Sequence, residues 1–136
     1  MLAEITPDPI DASGHERFVA RGAAGAVVSF RGVVRDHDRG RSVRGLEYTA
    51  HPTASRVLGE ILAEALAGGR IRAAAASHRV GLLAVGDTAF AVAVSGTHRQ
   101  EAFDAAGRIV DEAKRRLPVW KRQLFTDGTQ EWVRCP

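Results

Sequence analysis

The sequence holds one cysteine, two lysines and few aromatic side chains, and each shortage narrows what the chain can be. A single thiol, Cys135, cannot form an internal disulfide framework, and beside the terminal Pro136 it reads as an incidental residue. No apolar run approaches the roughly 20 residues of a membrane span. The first ten residues carry acidic Glu4 and Asp8 and no basic start, so they do not read as a signal peptide. A soluble, cytoplasmic protein without membrane association is the expectation. Aromatic residues make up 6% of the chain, and acids are interspersed among the arginines. That counts against a nucleic-acid-binding module, which needs a basic stripe interleaved with exposed aromatics. Walker and GxGxxG loops are missing, Ser95-Gly-Thr-His resembles no nucleophile elbow, and the five histidines show no zinc-like spacing. No metal or cofactor is expected.

What is present suits one domain spanning residues 1–136. Hydrophobic residues make up 45% and charged residues 26%, enough for a packed core and too apolar for a disordered chain. The net charge of +3 and pI near 9.7 mildly favour an anionic partner. The basic side chains divide unevenly: 17 are Arg and only Lys114 and Lys121 are Lys. Arg stays protonated at any working pH, whereas a desolvated Lys can lose its proton. The two lysines therefore stand out as positions where an amine is needed, or as chance survivors of an arginine-rich bias.

Periodicity predicts a short strand at 1–5, a short helix capped by Asp11 or Ser13 and reaching Ala20, and strands at 25–34 and 43–50 paired as a hairpin across the charged loop 36–41. A helix begins near Pro52, with Val57, Leu58, Ile61, Leu62, Ala65 and Leu66 on one face, and ends at Gly68-Gly69. Strands follow at 71–80 and 88–94, then a long helix over 98–117 stopped by Pro118, and two short strands near 120–125 and 131–133. Paired strands separated by two main helices give an α+β fold rather than a doubly wound sheet.

The chemistry concentrates around the last helix. Thr97 and Gln100 have capping-box spacing, which places His98 and Arg99 in the first turn. Unpaired backbone N–H groups and the positive dipole end make that turn a candidate anion site, although a surface histidine beside an ion-paired arginine fits the same residues. Lys114 falls at the edge of the apolar stripe near Val110 and Phe103, either as a partly desolvated amine or as a snorkelling lysine at a helix C-terminus. Pro118 turns the chain, Trp120 offers an apolar wall, and Lys121 can return toward Lys114. Arg35 ends the first long strand at the mouth of the charged loop, where binding groups tend to stand.

These residues occur in ordered segments: FRGVVRDHDRG (30–40), LEY (46–48), HRVG (78–81), GD (86–87), SGTHRQEAF (95–103), DEAKRRLPVWKR (111–122) and DG…EWV (127–133). Together they resemble the molybdopterin synthase large-subunit family over 25–133. The resemblance implies an α/β hammerhead-type fold with an additional antiparallel sheet. It also implies a homodimer of large subunits, each binding a small ubiquitin-like sulfur carrier whose C-terminal Gly-Gly bears a thiocarboxylate, giving a heterotetramer. The implied reaction is sulfur transfer to cyclic pyranopterin monophosphate, forming molybdopterin in molybdenum cofactor biosynthesis without a metal in this step.

By matched position Lys114 and Lys121 resemble the family's catalytic lysines. Val33, Val34, Arg35, His98, Arg99, Arg122 and Gln123 would join them in binding substrate. Two departures stand out. The family commonly has Glu where this chain has Gln123, and Gln accepts hydrogen bonds but cannot ionise. Ala54 occupies a position where Met is common, which reads as packing. The first departure keeps a non-catalytic binder of the carrier as the alternative, with a basic nucleic-acid-binding module as the lesser one.

Overall fold

The computed structural model describes residues 1–134; Cys135, read above as an incidental thiol, lies outside the described residues. The elements run β1 (Leu2–Thr6), α1 (Ala12–Val19), β2 (Ala26–Val33), β3 (His37–Asp38), β4 (Arg41–Ala50), α2 (Ala54–Ala67), β5 (Ile71–Arg79), β6 (Gly81–Ala84), β7 (Thr88–Gly96), α3 (Arg99–Arg116), β8 (Val119–Phe125) and β9 (Gln130–Arg134). They form two sheets. The first has the order β1-β5-β7-β2, with β1 parallel to β5 and the other pairs antiparallel. The second has the order β3-β4-β8-β9, with β6 on β4. The α+β expectation holds.

The first sheet is covered on both faces, and β5 shows why its sequence reads Ile-Arg-Ala-Ala-Ala-Ala-Ser-His. Successive strand residues point to opposite faces. Ala73 and Ala75 pack with Val19 of α1, while Ala74 and Ala76 pack with Leu58, Ile61 and Leu62 of α2 and with Ile109 of α3. Small side chains on both faces let helices settle closely on either side. A buried polar chain pins α1 in place. His15 Nδ1 meets the Asp11 carbonyl at 2.8 Å, its Nε2 meets Ser77 Oγ at 2.7 Å, and Ser77 donates to Glu4 Oε1 at 2.8 Å. One hydroxyl on β5 thus joins α1 to β1.

One connection differs from the sequence-based expectation. The strand at 25–34 does not form a hairpin with the strand at 43–50. β2 pairs with β7, and β4 crosses to the second sheet, where it lies between β6 and β8. β2 is instead tied at its end to the turn before β7: Val34 N–H donates to the Asp87 carbonyl at 3.0 Å, and Gly86 N–H donates to the Val34 carbonyl at 2.8 Å. Gly86 makes this turn with φ +90°, a conformation that side chains disfavour. The crossing of β4 also requires Gly45, where a Cβ would lie 2.8 Å from the Leu83 carbonyl oxygen of β6.

Candidate active site

Three elements deliver basic side chains to one cavity. α3 ends at Arg116, and Leu117 N–H still bonds to the Ala113 carbonyl at 2.9 Å. Pro118 cannot continue the helix. Its carbonyl accepts from His51 N–H at 2.9 Å, which anchors the turn to the chain between β4 and α2. β8 then starts at once, so Lys114 in the last helical turn and Lys121 on the strand face the same space. Arg35 arrives from the opposite side. The ladder between β2 and β7 shifts register between Gly32 and Val33. Phe30 and Gly32 before the shift, and Val33 and Arg35 after it, all line the cavity.

The cavity encloses about 260 Å³. Its floor and walls are Phe30, Tyr48, His78, Phe90, Leu117 and Val119, and its rim carries Arg35, Lys114 and Lys121. The rings form a contiguous set. Tyr48 meets His78 edge-on at 4.8 Å, His78 meets Phe90 at 5.6 Å, and Phe90 meets Phe30 at 6.5 Å. His78 is buried, its Nδ1–H donates to the Arg79 carbonyl at 2.8 Å, and burial lowers its pKa, so it stands as a neutral imidazole.

The neighbouring cations on α3 are engaged elsewhere. Arg115 binds Glu112 at 2.5 Å, and Arg116 binds Glu64 at 2.6 Å and Glu112 at 3.5 Å. Lys114 is exposed, and among the described residues no hydrogen bond or ion pair holds it.

A carboxylate sits behind the rim. Gln123, two residues along β8 from Lys121 and on the same face, is 4% exposed and donates from Nε2 to Asp38 Oδ2 at 2.9 Å. The other Asp38 oxygen lies 3.5 Å from Arg35 Nη2. The Gln123 hydrogen bond, followed by the charges of Lys121, Arg39 and Arg35, holds the Asp38 carboxyl below its ordinary value. Sequence reasoning did not single out Asp38, Tyr48, His78 or Phe90. Only the DHD triplet in the charged loop marked the region.

Other expected site residues lie elsewhere. Val34 is 4% exposed and packs with Leu46, Leu83 and Ala89, and its side chain does not line the cavity. Arg122 points to the other face of β8, where it binds Glu47 at 2.8 Å and lies over the Trp132 ring. His98 and Arg99 line a separate depression with Gly25, Ala26 and Thr97. Arg99 and Lys114 stand near opposite ends of α3, fifteen residues apart, or about 22 Å along a helix rising 1.5 Å per residue. One chain does not bring them together.

The expected capping box is also absent. His98 takes the N-cap position without a side-chain bond, Thr97 Oγ1 accepts from Arg72 at 3.0 and 3.2 Å, and Gln100 donates to Asp104. A larger groove of about 990 Å³ between α2 and α3 is lined by five carboxylates and two arginines, a poor match for an anion.

An aromatic-walled cavity with two amines and a guanidinium on its rim thus lies in an α+β protein of two sheets and three helices. Residues 5–116 match the family described as MoaE protein, and the chain belongs to that family. The molybdopterin synthase catalytic subunit of Bacillus subtilis is 36% identical over 131 residues, covering 96% of this chain and 83% of that protein. The crystal structure of molybdopterin synthase from Staphylococcus aureus superimposes with a TM-score of 0.90 at 32% identity, covering 96% of each chain. A protein–protein complex of subunits 1 and 2 of molybdopterin-converting factor from Helicobacter pylori shares the fold. Its TM-score is 0.76 at 18% identity, covering 96% of this chain and 88% of that one.

Proposed function

We propose that this chain is the catalytic subunit of a molybdopterin synthase. In this reading it moves sulfur from the C-terminal thiocarboxylate of a small ubiquitin-like carrier onto cyclic pyranopterin monophosphate. Membership of the MoaE family gives it a role in molybdopterin biosynthesis. The observation that carries the finer reading is the meeting of Lys114, Lys121 and Arg35 on one cavity with aromatic walls. The pterin ring lies against the aromatic floor, and the extended carrier tail enters from the rim.

The thiocarboxylate sulfur attacks a carbon of the pterin side chain. A C–S bond forms and an oxygen substituent departs. The carrier is then joined to the product through a thioester, and water cleaves the acyl–sulfur bond to release the carrier as a carboxylate. Lys114 and Lys121 offset the negative charge that develops in both steps and move protons, which are roles for ammonium groups at a cavity rim.

His98 and Arg99 enter this reading through a second copy. A homodimer that sets the α3 N-terminus of one chain beside the lysine cavity of its partner gives the substrate phosphate a helix end, a histidine and an arginine. The Helicobacter pylori complex of subunits 1 and 2 supports a small-subunit partner for a fold of this kind.

The test is product formation from thiocarboxylated carrier and pterin precursor. Lys114→Ala and Lys121→Ala are each expected to lose about 10²-fold or more in kcat, the usual range for a positioned proton-transfer group. Near-normal turnover by both variants overturns the assignment. Mixed dimers of Lys114→Ala and Arg99→Ala chains are expected to regain activity over either parent, because one of their two cavities is intact.

A further inference from the structure

β8 carries Lys121 and Arg122 but no carboxylate, and its buried polar residue is Gln123. The structure places a carboxylate within hydrogen-bond reach of that position. β3, only two residues long, pairs with the start of β4 through His37↔Ser42 and Asp38↔Arg41, and β4 pairs with β8 through Leu46↔Gln123. The charged loop therefore folds back so that Asp38 meets Gln123 at 2.9 Å, across 85 residues of sequence. Asp38 is largely shielded, with 27% of its side chain exposed, and Gln123 is buried.

We propose that Asp38 supplies the carboxylate that β8 lacks, and that it is a positioning residue holding Arg35 beside Lys121 for sulfur transfer. This rests on the function proposed above.

The charge arithmetic favours one carboxylate in this pair. Two carboxylates at 2.9 Å cannot both ionise, and one would have to keep a proton. An amide opposite a carboxylate avoids that conflict: the NH₂ donates, the carboxylate accepts, and a single negative charge remains. The pair Asp38–Gln123 thus carries one negative charge, placed on the loop and not on the strand. Its second oxygen remains turned to Arg35 at 3.5 Å. The charged groups that face it are Lys121, Arg35 and Arg39, all cationic, so it stays ionised at neutral pH. Arg41, the neighbour on β4, instead serves Asp127 and Glu131. With Gln123 occupying the interior side, Asp38 can neither swing inward nor leave Arg35 for solvent without losing a hydrogen bond.

Three variants test this with thiocarboxylated carrier and pterin precursor: Asp38→Asn, Gln123→Glu, and the two together. Asn keeps the shape of Asp and still offers an oxygen to Gln123, so a purely structural contact survives Asp38→Asn. The expectation is a kcat lowered on the order of ten- to a hundredfold, the cost of a displaced catalytic group, with little change in KM and an unchanged thermal midpoint. Gln123→Glu sets two acids together and adds a new ionisation to the pH–rate profile. The double variant moves the charge onto β8, keeps an amide opposite it, and is expected to recover to within a few-fold of the parent chain.

A kcat within twofold of the parent for Asp38→Asn, or a double variant no better than Asp38→Asn, overturns the proposal and leaves the sulfur-transfer reading intact. Absence of any product from the parent chain overturns both.

Discussion

The His78 imidazole stands edge-on to the Tyr48 ring, with centroids 4.8 Å apart and planes crossing at 83°, and its own Nδ1–H is committed to the Arg79 carbonyl. A proton on Nε2 would put a charge into an apolar wall. Burial therefore lowers the pKa of His78 below the ordinary 6.5. A depressed folded-state value means that the unfolded chain binds the extra proton first. The stability this histidine contributes is fully present above pH 6.5 and is lost as pH falls through the folded value. Thermal midpoints measured from pH 8 down to pH 5 are expected to drop across that window. In His78→Phe, which keeps a ring and cannot take the proton, that part of the decline should vanish.

Lys114→Arg and Lys121→Arg separate charge from amine chemistry. Arg keeps the positive charge but cannot give up its proton, and its planar fork does not fit where a compact ammonium sat. Both variants are expected to remain at least tenfold below the parent in kcat. Lys114 is exposed, so Lys114→Arg should shift stability by no more than about 0.5 kcal/mol in urea denaturation. Full activity in both Arg variants would reduce the lysines to sources of positive charge.

Ser77 is fully buried and bridges His15 to Glu4. Ser77→Ala leaves a buried imidazole nitrogen without its partner, which costs about 1–3 kcal/mol. Because the bridge ties α1 to the face of β5 opposite His78 and the cavity, the loss should appear in the urea midpoint and not in kcat.

Ala75 has no space on its face of β5, where it packs with Val19 and Ala93. Ala75→Leu forces α1 away from the sheet and is expected to destabilise the chain by about 1–3 kcal/mol. An unchanged melting curve would mean that α1 yields freely.

Much of this architecture could be read in the sequence because it rests on local periodicity. The helix ending at Gly68-Gly69 and the one stopped by Pro118 lie close to where their apolar spacing places them. Strand partners could not be read the same way. The alternation in β2 and β4 specifies a buried face but not the neighbour that shares the hydrogen bonds, so the nearest strand in sequence looked like the partner. β6 was missed because Gly-Leu-Leu-Ala is too short to show a period.

At the site, Lys114, Lys121, Arg35 and Val33 were legible as residue types in a recurring order, and one cavity gathers them. Arg122 was read as a companion of Lys121, yet adjacent strand residues face opposite ways, and its guanidinium meets Glu47. Thr97 has the spacing of a cap, but Arg72 from β5 takes its hydroxyl. The partnership of Gln123 with Asp38 depends on how the charged loop folds back, which no local pattern encodes.

The Pro118 turn has a consequence for how this surface can vary. One ammonium rides the last turn of a helix and the other the third residue of a strand, and main-chain hydrogen bonds fix both elements. Their spacing is therefore independent of the side chains around the rim. An exposed neighbour such as Val33 is free to change with the shape of whatever docks there, while the backbone positions that carry the two charges stay constant.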